Sequence, residues 1–331
     1  MALKIMPHDD HCQSWFLNDN STFMNLNEAL NAGPIGFGGA SLSGEGGGYG
    51  FGAISDSDAE ILLRTSFDRG IKIFDTAPIY GFGLSEQRIG KAFSHIRENI
   101  FVISKGGITW DLNKRVDINN SPQVIQKMLD QSLTTLNCDY IDLYMIHWPD
   151  PRIDIRLPLE FLSKEKSKGK IRMIGLCNTN IEDLLKAIEI DKIDMVQSEY
   201  NIFNKTALEN IEDLIIKEKI PFMSWGTFDK GIITGKVKEN SKFDSFDARS
   251  WAPWWKKSNK DIKIKKMEKI LNFLEEKGHL GLELALAHNL SKPSVRNVLC
   301  GIKNVNQLNS IFSALNNLPS KEIIQEALEL L

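Results

Sequence analysis

At 331 residues the chain is long enough for one large α/β barrel or two ordinary domains, and 42% hydrophobic with 25% charged residues is the composition of a soluble globular protein. A formal net charge of -3 excludes the basic footprint of a nucleic-acid or anionic-membrane binder, and no apolar run approaches the ~20 residues of a membrane span. The four cysteines, Cys12, Cys138, Cys177 and Cys300, are widely spread with no CxxC, and Met1 to Asp10 lacks the apolar core of a secretory signal, so reduced thiols, a cytoplasmic location and no metal site are expected.

Residues 1–33 read as an N-terminal extension, in which Phe23, Leu26 and Leu30 at helical spacing after Asn20-Ser21-Thr22 predict a short helix. From Pro34 onward strand and helix patterns alternate. Strands are predicted over 35–40, 71–75, 101–106, 140–148, 171–178, 195–201, 221–227 and 297–302. Helices are predicted over 56–69, from Ser85 through Phe93, and over 122–136, 157–168, 181–188, 207–217, 263–277, 282–290 and 305–315. The loop 41–52 is Gly-rich and carries Tyr49 and Phe51, and the loop 238–259 carries Arg249, Trp251, Trp254 and Trp255. Gly36-Phe37-Gly38 is followed by no third glycine in register, so it is not a dinucleotide fingerprint. The pattern as a whole predicts a single (β/α)8 TIM barrel over 34–317, no second domain, and a terminal helix within 318–331.

Three of these strands end in chemistry. Ile71-Lys72-Ile73-Phe74-Asp75 stops before Pro78, with Tyr80 five residues beyond Asp75 in a Gly-rich loop. Phe101 to Lys105 ends in an ammonium, and Tyr140 to His147 ends in an imidazole before Pro149. Side chains alternate across a strand, so Asp75 shares a face with Ile71 and Ile73, Lys105 with Phe101 and Ile103, and His147 with Ile141, Leu143 and Met145. Each polar group thus follows an apolar face at a strand's carboxyl end, where parallel barrels build their sites. A lone Asp after a strand is ordinarily a turn former, and a core His is often simply satisfied. All four groups at strand ends, in order, make that reading much weaker.

These residues resemble the aldo/keto reductases. The matching pieces are Phe74-Asp75-Thr76-Ala77 with Tyr80-Gly81, Ser104-Lys105, Asp139 to Tyr144 with His147-Trp148-Pro149-Asp150, Gly169-Lys170-Ile171-Arg172, Gln197 to Asn201 and Gly231 to Lys236. The resemblance implies an oxidoreductase that moves hydride between a nicotinamide cofactor, NADP with NAD as the other choice, and a carbonyl or alcohol of a small molecule: an aldehyde, a ketone or a sugar. It implies Tyr80 as proton donor, Lys105 lowering the phenol's pKa, Asp75 holding Lys105, and His147 orienting the substrate oxygen. For the cofactor it implies Asn178 and Gln197 at the carboxamide beside Cys177, Trp225 stacking where relatives have Tyr, and Gly226, Thr227, Lys230 and Lys236 along the diphosphate. Gly301, Lys303 and Gln307 fall on the segment that grips the adenosine 2′-phosphate, while Ser310-Ile311 departs from the usual Glu-Asn pair. Tyr49, Trp110, Trp148 and Trp251 are expected to line the substrate side. Relatives also open with a plug under the barrel, a place that residues 1–33 would take. The other reading is a regulatory protein that senses redox state through a bound cofactor on the same barrel, like the potassium-channel β subunits. No nucleic-acid or membrane partner is expected, and the residues leave the oligomeric state open.

Overall fold

The computed structural model describes residues 23–331. Residues 1–22, with the expected Asn20-Ser21-Thr22 helix start and Cys12, lie outside the described residues. The strands are β1 (Ile35–Gly38), β2 (Ile73–Asp75), β3 (Phe101–Gly106), β4 (Ile108–Trp110), β5 (Val116–Ile118), β6 (Ile141–Ile146), β7 (Ile171–Cys177), β8 (Met195–Glu199), β9 (Phe222–Trp225) and β10 (Val295–Cys300). The helices are α1 (Leu26–Asn31), α2 (Asp56–Asp68), α3 (Leu84–Phe93), α4 (Pro122–Leu136), α5 (Arg156–Ser167), α6 (Ile181–Ile188), α7 (Thr206–Glu209), α8 (Glu212–Lys217), α9 (Pro253–Lys256), α10 (Lys260–Glu276), α11 (Gly281–Leu290), α12 (Val305–Leu315) and α13 (Lys321–Glu329).

Eight of the strands close into a parallel barrel in the order β1-β10-β9-β8-β7-β6-β3-β2. This is the (β/α)8 barrel expected from the alternation of patterns. Strand parity divides the apolar residues into two layers. Ile73, Phe101, Ile103, Leu143, Met145, Met195, Met223 and Leu299 fill the barrel interior. Phe74, Val102, Tyr144, Ile146, Ile174 and Val298 face outward into the layer beneath the helices. Local chemistry starts the helices where they are needed: Ser55, Asn180, Asn304 and Ser320 accept from backbone N–H groups of the first turns of α2, α6, α12 and α13.

The amino end of the barrel is closed by α1. Asn25 and Glu28 form a reciprocal capping box at its start, and Ala29 and Leu30 join the interior cluster. Beside it, buried Asp142 accepts from Val102 N–H at 2.9 Å and pairs with Arg97 at 2.7 Å. The acidic residue on the outward face of β6 is therefore architecture.

Two elements depart from the sequence reading. β4 and β5 pair antiparallel as a hairpin after β3, with Ile108 opposite Ile118 and Trp110 opposite Val116. Strands of three residues are too short for an alternation signal, and Gly106-Gly107 reads as a plain strand end. The helix expected over 207–217 is broken into α7 and α8. At the carboxyl end of the chain, Ile324 and Ala327 of α13 pack with Leu274 of α10 and Leu284 of α11. No described helix is long and apolar enough to cross a membrane, and no group of three His, Cys, Asp or Glu among the described residues could hold a metal ion.

Candidate active site

At the carboxyl ends of the barrel strands lies a cavity of about 1900 Å³. Pockets for a single drug-sized ligand measure roughly 300–1,000 Å³, so the space admits a ligand and a second molecule together. Its floor is the set of polar strand ends. Lys105 Nζ donates to Asp75 Oδ2 at 2.6 Å and to Thr76 O at 3.1 Å. Both side chains are almost wholly buried, so the pair is a desolvated contact. Lys105 Nζ lies 5.4 Å from the centroid of the Tyr80 ring. The Tyr80 and His147 rings meet edge to face, 5.8 Å apart at 89°. Four groups from β2, the loop after it, β3 and the end of β6 therefore meet at one point.

Electrostatics at this point are decided by burial. Desolvation disfavours the ammonium of Lys105, but Asp75 and Tyr80 outweigh it, and the pKa of Lys105 is raised. Desolvation, with Lys105 adding to it, holds His147 well below its ordinary value, so the imidazole is neutral at neutral pH. For Tyr80 the expectation is corrected. Lys105 pulls the phenol's pKa down as anticipated, but burial is the larger effect and the net direction is up. A buried phenolate loses water on every side, and one ammonium that also serves Asp75 does not replace it.

Around this point the amide groups are interlocked. Gln197 Nε2 donates to Asp75 Oδ2 at 2.9 Å, and Gln197 Oε1 accepts from Cys177 Sγ at 3.3 Å. Burial pushes the Cys177 thiol up to about 12, so it is inert near neutral pH. Asn178, held at φ +56°, donates to His147 O at 3.0 Å and accepts from Trp225 Nε1–H at 3.1 Å. That bond sets the plane of the Trp225 indole, which lines the cavity. Gly226 follows at φ +69°, and a Cβ there would stand 2.9 Å from the Glu199 side chain. Thr227 Oγ1 donates to Leu299 O at 3.0 Å, tying the loop after β9 to β10.

The cations of the cavity are less available than their types suggest. Lys230 is bonded to Glu199 and lies 3.3 Å from Asp229, which also receives Lys263 at 2.7 Å. Lys236 is exposed on the cavity wall. Gly301 and Gln307 also line the cavity, and Gln307 Oε1 accepts from Lys303 N–H at 2.8 Å. The Lys303 ammonium, expected to stand ready for a phosphate, instead donates to Gly52 O at 2.5 Å and Ala53 O at 2.9 Å. The sequence carries no sign of these carbonyls, which reach it from 250 residues and more away along the chain.

On the substrate side Tyr49 and Trp148 line the cavity as expected. Trp110 and Trp251 do not. Trp110 packs on Phe82 at 5.0 Å, and Trp251 packs edge-on against the lining residue Tyr49 at 5.5 Å. Ile108 and Ile118 of the hairpin, with Trp254, take wall positions instead. Trp254 was distinguishable in the sequence only as one of three tryptophans in its loop. The hairpin residues carried no signal at all, because their strands did not.

The description of the aldo/keto reductase family matches residues 34–329 of the chain. Aldo-keto reductase YhdN of Bacillus subtilis (strain 168) is 29% identical over 268 residues, 80% of this chain and 81% of that protein. An NADH-specific methylglyoxal reductase of Escherichia coli (strain K12) is 29% identical over 284 residues, 79% of this chain and 84% of its own length. Among solved structures, a glycerol dehydrogenase from Gluconobacter oxydans superposes with a TM-score of 0.77 at 26% identity, covering 90% of each chain. The holo form of an aldo-keto reductase from Bacillus halodurans shares the fold with a TM-score of 0.73 at 22% identity, over 90% of this chain and 91% of that one. With a family match across the whole barrel and a barrel whose strand ends carry the expected groups, the chain belongs to the aldo/keto reductase family.

Proposed function

We propose that the chain is a nicotinamide-dependent oxidoreductase that interconverts a carbonyl and an alcohol on a small molecule (an aldehyde, a ketone or a sugar), with Asp75, Tyr80, Lys105 and His147 as its catalytic residues. The observation that carries this reading is their convergence: a buried Lys105–Asp75 pair at 2.6 Å beneath a phenol and a neutral imidazole, facing a cavity with room for two molecules. No side chain donates hydride; a bound nicotinamide dinucleotide supplies it. The donor set fits such a group. Trp225 offers an indole face whose tilt is fixed by Asn178, and the amides of Asn178 and Gln197 stand beside it with Cys177. These four would hold the nicotinamide end, and Gly226, Thr227, Lys230 and Lys236 the diphosphate. The segment with Gly301, Lys303 and Gln307 would hold the adenosine end.

The roles follow from protonation. Tyr80 keeps its proton at neutral pH because burial outweighs Lys105. In the reducing direction it donates that proton to the carbonyl oxygen. Lys105 stabilises the phenolate left behind, and Asp75 keeps Lys105 charged and aimed. Neutral His147 donates a hydrogen bond to the same oxygen and fixes its position. Substitution Tyr80→Phe lowers kcat by ~10²–10⁴ while leaving dinucleotide affinity nearly unchanged, because the ring still packs against His147. Steady-state turnover of an aldehyde panel, alongside a fluorescence titration of the dinucleotide, checks this. Near-normal turnover in the Phe variant overturns the assignment.

A further inference from the structure

The loops after β1 and β9 leave the barrel on either side of β10. They meet again beyond it. Phe51 and Asp247 form an antiparallel bridge, Gly52 N–H donates to Phe246 O at 3.3 Å, and Ala248 N–H donates to Gly50 O at 2.9 Å. Two loops that flank one strand and pair with each other make an arch across that strand's carboxyl end. The segment that continues from β10, with Lys303, lies at its foot.

Lys303 fastens the arch. Two of the three donors of its ammonium are given to Gly52 O and Ala53 O, at 2.5 and 2.9 Å, immediately after the bridged residue Phe51. The loop is braced at the same place by Glu45, which accepts from Ile54 N–H at 3.3 Å and from Arg88 at 2.5 Å. The other side of the arch is braced by Asp247, whose two oxygens hold Arg249, while Arg249 also donates to Lys230 O at 2.7 Å. The pKa of Lys303 is lowered, chiefly by burial, with Arg88 acting in the same sense and Glu45, Asp244 and Asp247 opposing. The Lys303 ammonium at the foot of the arch is therefore already engaged, as are two carboxylates of the bracing, Glu45 by Arg88 and Asp247 by Arg249.

We propose that Lys303 is a latch holding the arch closed, and that a 2′-phosphate draws on its ammonium at the latch's expense, so that the cavity takes NADH at least as tightly as NADPH. This rests on the nicotinamide reading above. A 2′-phosphate carries close to two negative charges near neutral pH. To bond the Lys303 ammonium it competes with the two backbone carbonyls that already hold it. A free ribose hydroxyl is uncharged, needs no cation, and meets no such competition.

The test uses the full chain and two readouts. Tryptophan fluorescence is titrated with NADH and with NADPH, and amide hydrogen exchange of residues 43–55 is followed in the wild type and in Lys303→Met. The expected result is an NADH dissociation constant equal to or below that of NADPH. Exchange at Gly52 and Ile54 accelerates at least tenfold in ligand-free Lys303→Met, and in the wild type with saturating NADPH but not with NADH. NADPH binding at least tenfold tighter than NADH in the wild type overturns the latch and leaves the oxidoreductase reading standing. So does unchanged loop exchange in folded Lys303→Met. Failure to bind either dinucleotide overturns both readings. If Lys303→Met does not fold, the two wild-type titrations and their exchange patterns decide alone.

Discussion

Replacement of Lys105 by Met removes the ammonium beneath the phenol while keeping most of the side-chain volume. Lys105 Nζ lies 5.4 Å from the Tyr80 ring centroid. At an effective dielectric of about 20, a phenolate and an ammonium at that separation attract by about 3 kcal/mol, or about two pKa units. The Tyr80 pKa is already raised by burial, and losing Lys105 raises it further. Alcohol oxidation needs the phenolate as base, so its pH–rate limb moves to higher pH by about two units. Carbonyl reduction starts from the protonated phenol, which the variant retains. It loses the cation that stabilises the phenolate as the proton leaves, and falls by roughly ten- to a hundredfold. Asp75 would be left as an uncompensated buried carboxylate, which costs about 3–5 kcal/mol of stability. The double variant Asp75→Asn/Lys105→Met removes that complication and should show a smaller shift in the same direction, because Asp75 itself raises the phenol's pKa. The assay is absorbance of the reduced nicotinamide in both directions across pH, on protein whose unfolding transition has been measured. An oxidation limb with an unchanged midpoint in folded Lys105→Met would refute the proposed role of this pair.

Two further outcomes concern the frame around the site. Glu86 is buried beside Ser104, and desolvation lifts its pKa from the ordinary 4.5 to about 7 against the opposing hydrogen bond from Ser104. The folded state therefore holds a proton that the unfolded state has lost, and stability falls as pH rises from about 4.5 to about 7, by roughly 3 kcal/mol, then levels. Denaturant unfolding at pH 5 and pH 8 should show this slope in the wild type and a flatter one in Glu86→Gln; equal slopes would exclude Glu86 as its source. Gly226→Ala forces a Cβ at φ +69° and 2.9 Å from Glu199, the residue that holds Lys230. It should lower stability by about 1–2 kcal/mol, and an unchanged thermal midpoint would show that the loop after β9 yields freely.

What the sequence determined by itself is what depends on local periodicity. Eight apolar runs alternating with helical patterns specify a parallel barrel, because each crossover must bury one helix face on the sheet. Parity along a strand then carries Asp75, Lys105 and His147 to the interior side of the carboxyl ends, since Ile73, Ile103 and Met145 on the same faces have to be in the core. The family motifs follow the same positions, which is why they could be carried over residue by residue.

Only the tertiary structure decided how those positions are used. Gln197 reaches Asp75 across 122 residues, and Lys303 reaches the carbonyl of Gly52 across 251. Neither contact has a local signature, because backbone carbonyls exist at every residue and only folding selects which ones face a cation. The direction of the Tyr80 pKa was likewise closed to the sequence. Lys105 nearby predicts a lowered value, whereas desolvation is set by all the groups packed around the phenol and outweighs that one partner. The absence of Trp110 from the cavity lining has the same origin. It follows from a hairpin of three-residue strands, too short for a sequence period and held by pairing that exists only once β3 is in the barrel.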